Sequence, residues 1–183
     1  MLMPVTLFAV FTPVMRTYGT GTAATETVPV GAASVTIRVV GGGGGGAHDS
    51  TGNGGGGGSG AYALKTIAVI GGNTFTYTVG QGGVGVTDPN NGNDGTDSTV
   101  TGTVSGGAVA MTGGKGLKGQ ITNVPGAGGT ATGGTSNTPG NSGVTVTGGA
   151  AAYLTYGKGG NGKNTGVGTS SPGIAGVVIF EYI

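Results

Sequence analysis

Residues 41–60 read GGGGGGAHDSTGNGGGGGSG, in which two glycine runs flank a polar insert. Glycine loses more conformational entropy on ordering than any other residue, so an ordered run must be stabilised from outside. A helix or a strand suits such a run badly, because glycine has low helix propensity and gives a strand no side chain to pack. The remaining forms are a flexible linker and an extended threefold helix of the polyproline-II type.

The threefold form points every amide and carbonyl outward, so neighbouring glycine helices can satisfy each other's hydrogen bonds. The composition supports it. The 183 residues include 48 glycines and 7 prolines without strict every-third glycine spacing, which excludes a collagen triple helix. Only 7% of residues are charged and 35% are hydrophobic, which argues against a solvated disordered chain. We therefore expect one glycine-rich domain with a bundle of polyglycine-II-like helices.

The segments on both sides of the glycine stretch have the pattern of β-strands. β-Branched residues alternate over residues 35–40, which predicts a strand that runs directly into the first glycine run. Residues 61–70 and 73–79 are also β-like, and the two glycines between them predict a hairpin. The buried face of its second strand is expected to carry Phe75, Tyr77 and Val79.

Further strands are predicted towards the end of the chain. Short β-like pieces at 101–104, 144–147 and 151–156 alternate with glycine-rich text, and residues 174–183 form a dense apolar segment. An apolar segment of this kind is buried or paired with another strand. The predicted fold class is therefore all-β, with β-strands framing a bundle of polyglycine-II-like helices and no α-helix.

The first residues differ from the rest of the chain. Residues 1–14 are apolar and uncharged, and the first positive residue, Arg16, follows the apolar run, unlike the order in a signal peptide. The run is also too short to span a bilayer. It is either a first core strand or a docking segment for a partner. We divide the chain into an N-terminal segment, 1–17, and a glycine-rich domain, 18–183.

Little in the sequence points to chemistry. Cysteine is absent and the net charge is +1, so the chain lacks thiolate sites and any general attraction for nucleic acid or anionic membranes. The single histidine, His48, has only Asp49 beside it, too few partners for a catalytic triad or a metal site. Residues 92–100 resemble one imperfect calcium-binding nonapeptide, with Asp94 and Asp97 as weak candidates, but an exposed loop is favoured. We expect no enzyme and no cofactor.

Polar loops between the glycine segments are the better candidates for contact with a partner, because rigid scaffolds commonly present recognition residues on loops. The loops are 47–53, 88–98 and 136–142. Short polar side chains of this kind suit hydroxyl-rich glycans or polar protein surfaces. The candidate binding residues are His48, Asp49, Asn90, Asn91, Asn93 and Asn137.

Several strings carry a resemblance to a known group: VPVGAASVTIRVVGGGGGG at 28–46, GGGGGSGAYALKTI at 54–67, GGNTFTYTVGQGG at 71–83 and SPGIAGVVIFEY at 171–182. In layout the chain resembles the glycine-rich domains of bacteriophage tail-fibre tips, adhesins and related virion proteins. The resemblance implies strands that frame polyglycine-II helices, with loops at one end that meet the host surface. It implies no catalytic residues.

These observations together lead to one expected function and two alternatives. The chain is expected to be a virion protein of a tail fibre or tail tip, part of an oligomeric assembly. It would join other virion proteins through its apolar N-terminus and present loops to a host receptor or glycan. The first alternative is a capsid decoration or head-fibre protein with a purely assembly role. The second is an ice-binding protein, favoured by the threonine row Thr74, Thr76 and Thr78 but weakened by the irregular glycine runs.

Overall fold

The computed structural model describes residues 11–165 and 167–183, and within them it is all-β without a helix. Ten strands form two five-stranded antiparallel sheets. The strands are β1 (Val14–Tyr18), β2 (Ala24–Thr27), β3 (Ser34–Val40), β4 (Tyr62–Ala68), β5 (Thr74–Thr78), β6 (Ser98–Val104), β7 (Gly107–Gly113), β8 (Ala131–Thr132), β9 (Ser136–Thr138) and β10 (Val177–Tyr182).

The first sheet has the order β1-β10-β3-β4-β9 and the second sheet has the order β2-β5-β6-β7-β8. Alternating apolar residues of both sheets fill the space between them. Phe75 of the second sheet contacts Phe180 of the first, with ring centroids 5.4 Å apart. The expected burial of Phe75, Tyr77 and Val79 on one face is confirmed, since they are at most 6% exposed.

A polar cluster centred on the buried Glu26 links the two sheets of this sandwich. The carboxylate of Glu26, on β2 and 2% exposed, accepts hydrogen bonds from Arg16 Nη1 at 2.7 Å and Tyr182 Oη at 2.8 Å. It also accepts one from Tyr18 Oη at 2.5 Å. Burial, and next the hydrogen bond to Glu26, raise the pKa of Tyr18 to about 12. The cluster thus connects β1 and β10 of one sheet to β2 of the other.

The predicted hairpin is wrong, although both of its strands exist. β4 pairs with β3 and β9 in the first sheet, whereas β5 pairs with β2 and β6 in the second. The tight turn forms as expected, with Asn73 N donating to Ile70 O at 3.0 Å. Since β4 and β5 pair with other strands and not with each other, this turn carries the chain from the first sheet to the second.

The other strand predictions have mixed outcomes. Residues 101–104 form part of β6, and the closing apolar segment forms β10, which lies between β1 and β3. The segments 144–147 and 151–156 are instead tight turns, each closed by an isolated bridge. Residues 1–10 lie outside the described residues, so their interpretation as a strand or a docking segment stays a prediction. β1 spans the predicted domain boundary at residue 17.

Beyond the sandwich, residues 41–47 and 54–60 form two extended segments that we call the inner rods. The amides of the first inner rod donate with a period of three, at 2.8–3.1 Å. One set donates to carbonyls in 55–61, the next to 90–96 and the third to 171–174. This is the hydrogen-bond pattern of a polyglycine-II bundle, in which each threefold helix pairs with different neighbours along its edges.

Each inner rod is surrounded on all sides. Carbonyls of the first inner rod accept from amides of residues 83, 116–119 and 160–163, so this rod has six neighbours. The second inner rod is likewise bonded to six segments, two of them shared with the first. The surrounding segments, which we call the outer rods, are 80–86, 90–97, 113–120, 125–130, 139–144, 146–150, 157–163 and 170–176. The expected bundle framed by strands is therefore confirmed.

The bundle and the sandwich lie end to end. β3 runs directly into the first inner rod, and the second inner rod runs directly into β4. The turns between rods meet at the far end of the bundle, which we call the distal end. There Asn53 pairs with Asn164 and its carbonyl accepts from Asn123 N at 2.9 Å. No helix among the described residues is long and apolar enough to cross a membrane.

Candidate binding surface at the distal end

The insert between the inner rods forms the centre of the distal end. His48 is fully buried, and it exchanges two backbone hydrogen bonds with Asn90, at 3.0 and 3.2 Å. It therefore continues the pairing of the first inner rod. Asp49 is only 8% exposed. The expectation that both residues form an exposed loop tip must be corrected, because the turns that join the outer rods surround them.

Asp49 organises the neighbouring turns. Its carboxylate accepts from the Thr51 hydroxyl at 2.9 Å, the Thr51 amide at 3.0 Å and the Thr122 amide at 3.2 Å. These hydrogen bonds, first that of the Thr51 hydroxyl, lower the pKa of Asp49 below its usual value. Asp88 acts similarly by accepting from the Ser50 amide at 2.6 Å. The carboxylates at this end thus fix loop geometry within the chain.

Residues 80–97, which include most of the predicted loop 88–98, consist of two outer rods joined by a turn. At every third position of the rod 90–97, a side-chain oxygen accepts a hydrogen bond from a backbone amide in, or just beyond, the adjacent rod 113–120. The pairs are Asn91 with Ile121 at 2.8 Å, Asp94 with Lys118 at 3.0 Å and Asp97 with Lys115 at 2.7 Å. These side chains replace the carbonyls that a further rod would supply. We call this row the Asx ladder.

The ladder changes the interpretation of the calcium candidates. Asp94 also forms an ion pair with Lys115 Nζ at 3.3 Å. Burial opposes its ionisation, but the hydrogen bonds from the Lys118 amide and Lys115 outweigh this and lower the pKa of Asp94. Asp94 and Asp97 therefore satisfy backbone groups in a rod. Across residues 11–165 and 167–183, no three His, Asp or Glu side chains gather into a metal-binding group.

The remaining candidates do not form one surface. Asn90 is exposed at the distal end, where its Nδ2 donates to Thr87 O at 3.0 Å. Asn93 is exposed on the side of a rod. Asn137 lies at the sandwich end, in β9, and its Oδ1 accepts from Gly134 N at 3.1 Å. Its expected place beside the other loops is wrong, because residues 131–138 turn at the sandwich end of the bundle.

Two outer turns add exposed residues that sequence reasoning missed. Thr122 and Asn123 have φ values of 63° and 65°, and Val146 has a φ of 53°. A positive φ is uncommon outside glycine and unfavourable for β-branched residues, and such strain is concentrated at functional positions. The sequence does contain a signal for these two turns, because the three-residue spacing of the glycines is interrupted at each of them. The exposed distal side chains include Ser50, Thr51, Asn53, Asn90, Thr122, Asn123, Val124, Val144, Thr145 and Asn164.

The fold and this surface define a class of protein: a β-sandwich continued by a polyglycine-II bundle whose far end carries a cluster of short, mostly polar turns. The comparison with family models matches residues 17–182 to the glycine-rich domain family. The chain belongs to that family. The search of curated proteins gave no match.

Proposed function

We propose that the chain is a virion structural protein, the glycine-rich domain of a phage tail fibre or tail tip, which presents its distal turns to a host surface. The observation that carries the proposal is the two-ended arrangement of the molecule. The distal turns gather at one end. At the other end, Val14 of β1 lies opposite Tyr182, so β1 begins at the end of the sandwich furthest from the turns.

This arrangement suits a protein that is attached at one end and makes contact with the other. The backbone groups of the inner rods are committed to neighbouring rods. The inner rods therefore have no backbone groups left for recognition at the distal end, and the side chains of the distal turns must supply them there. Those side chains are mainly hydroxyls and amides without net charge, which favours a polar ligand such as a surface glycan.

The first test locates the protein. Immunogold electron microscopy of particles from the encoding organism should label the end of a tail fibre. Label on the capsid would favour the decoration-protein alternative, and particles without label would contradict both proposals.

The second test concerns the distal surface. A variant with Ser50→Ala, Asn90→Ala, Asn123→Gly and Thr145→Ala should lose host-cell binding while its free energy of unfolding changes little, because exposed substitutions usually stay within about 0.5 kcal/mol each. Glycine is chosen at position 123 because of the positive φ there. The matched control replaces exposed polar residues of the sandwich: Thr17→Ala, Thr20→Ala, Thr22→Ala and Ser136→Ala. Equal cell binding by both variants would contradict the adhesin proposal.

A further inference from the structure

The outer face of the second sheet has an unusual composition. Its strands bury one set of alternating residues in the core and place the other set on the opposite face, where Thr78, Thr99 and Thr112 are half-buried and the rest are exposed. Ten of the twelve outward positions are threonine, and none is charged or aromatic. They are Thr25, Thr27, Thr74, Thr76, Thr78, Thr99, Thr101, Thr103, Thr112 and Thr132, with Ala108 and Ala110. We call this surface the threonine face.

The strand register arranges these residues in ranks. Thr76 lies opposite Thr25 on one side and Thr101 on the other, which gives a rank across β2, β5 and β6. A second rank crosses β5 to β8 and consists of Thr78, Thr99, Thr112 and Thr132. Neighbours are about 4.8 Å apart across strands and about 6.8 Å apart along a strand. The result is a two-dimensional lattice of hydroxyl and methyl groups.

The bundle holds this lattice in a regular shape. β5 and β7 run directly into outer rods that begin at residues 80 and 113, and an outer rod runs directly into β6. The rods are bonded side by side along their length, which holds the strands that they continue next to one another. Threonine side chains are also stiff at χ1, so their hydroxyls keep a narrow range of positions.

Other classes of partner fit the threonine face poorly. From the strand spacings its area is about 400 Å², so two copies face to face would bury about 800 Å², the size of a crystal-packing contact. It lacks the tryptophan, tyrosine and arginine residues that dominate protein interfaces. It also lacks the cations that bind nucleic acid. What it offers is a regular array of uncharged hydroxyls that can donate and accept hydrogen bonds, among which that of Thr78 already accepts from Ala23 N at 3.0 Å.

We propose that the threonine face binds the ordered water of an ice surface. The methyl groups exclude loosely held water, and the hydroxyls repeat at spacings close to those between oxygen rows in hexagonal ice. An ice-binding face needs a regular repeat, which the glycine runs lack. The row Thr74, Thr76 and Thr78 on β5 is only one part of that repeat, and the outer face of the whole sheet supplies the rest. This inference goes beyond the proposed virion function and uses a different surface.

The test uses the full chain, fluorescently labelled, in contact with a single ice crystal, together with an assay of ice recrystallisation. The wild type should adsorb to ice and slow recrystallisation. Thr101→Lys should lose both effects, because it places a long charged side chain in the middle of the lattice. The matched control is Thr66→Lys, on the outer face of the first sheet, which adds the same charge at an exposed strand position.

The control variant should behave as the wild type in both ice assays. Circular dichroism and the thermal midpoint should show that both variants remain folded. A wild type that does not adsorb to ice would overturn the inference, and so would equal adsorption by Thr101→Lys and Thr66→Lys. Neither result bears on the proposed function, because host-cell binding depends on the distal turns and is measured separately.

Discussion

Gly44→Ala tests the tight packing of the inner rods. A Cβ on Gly44 would overlap the backbone carbonyl of Leu117 in the adjacent outer rod, closer than 3.0 Å. Ordinary contact for a Cβ begins near 3.4 Å, so the two rods must separate by about 1 Å. That shift would break the hydrogen bonds that Gly116 and Gly119 donate to the first inner rod, both 2.9 Å long.

The magnitude follows from these contacts. Overpacking costs about 1–3 kcal/mol, and two lost hydrogen bonds add about 0.5–1.5 kcal/mol each. We therefore expect the free energy of unfolding to fall by about 2–6 kcal/mol, a large part of the total for one domain. The thermal midpoint should fall by at least about 4 °C for a chain of this size.

The matched control is Gly19→Ala. No heavy atom lies within 4 Å of a Cβ at Gly19, so the same added methyl group meets open space there. Chemical denaturation of both variants, followed by circular dichroism, measures the two changes directly. Free energies of unfolding within 0.5 kcal/mol of each other would refute the packing argument.

Three further predictions concern the buried cluster, the Asx ladder and the N-terminal residues. The pKa of Tyr18 is raised from 10.0 to about 12, so its contribution to stability is present below pH 10 and is lost as the pH rises to 12. Denaturation measured across this range should show the loss of stability, and Glu26→Gln should make that loss smaller. The pKa of Asp94 is lowered from 3.8, so its contribution to stability is present above pH 3.8 and is lost as the pH falls through the lowered pKa. The stability of Asp94→Asn should therefore depend less on pH in that range than the stability of the wild type. Equal pH dependence of the two proteins in acid denaturation would contradict the role of Asp94 in the Asx ladder. Deletion of residues 1–10 should leave circular dichroism unchanged and prevent incorporation into particles, whereas an unfolded product would favour the core-strand interpretation.

The bundle could be predicted from the sequence because glycine runs leave so few ordered forms. The partners of each rod could not be predicted. Gly43 donates to Ile174, for example, and nothing local to either residue indicates the pairing. The false hairpin has the same cause: the turn at Gly71 and Gly72 is local, whereas the sheets are chosen by distant strands.

The candidate site was predicted less well than the fold. His48 and Asp49 carry polar side chains in a glycine-rich context, so the sequence indicated an exposed tip, but the turns between outer rods bury them. The Asx ladder could have been found, because Asn91, Asp94 and Asp97 recur with the threefold period of the rods. The threonine face could not be predicted, because it depends on the register between five strands. The sequence showed only one row of it, Thr74, Thr76 and Thr78.

The central place of β10 in the first sheet has a consequence for synthesis in the cell. This strand pairs with β1 and β3, both from the opposite end of the chain, so the sheet cannot close until residue 182 has left the ribosome. At about 5–20 residues per second, the nascent β1 therefore waits on the order of ten seconds or more without its partner. During that time the edge of β3 that later pairs with β10 is exposed to other chains, which makes the growing polypeptide a natural client for a chaperone.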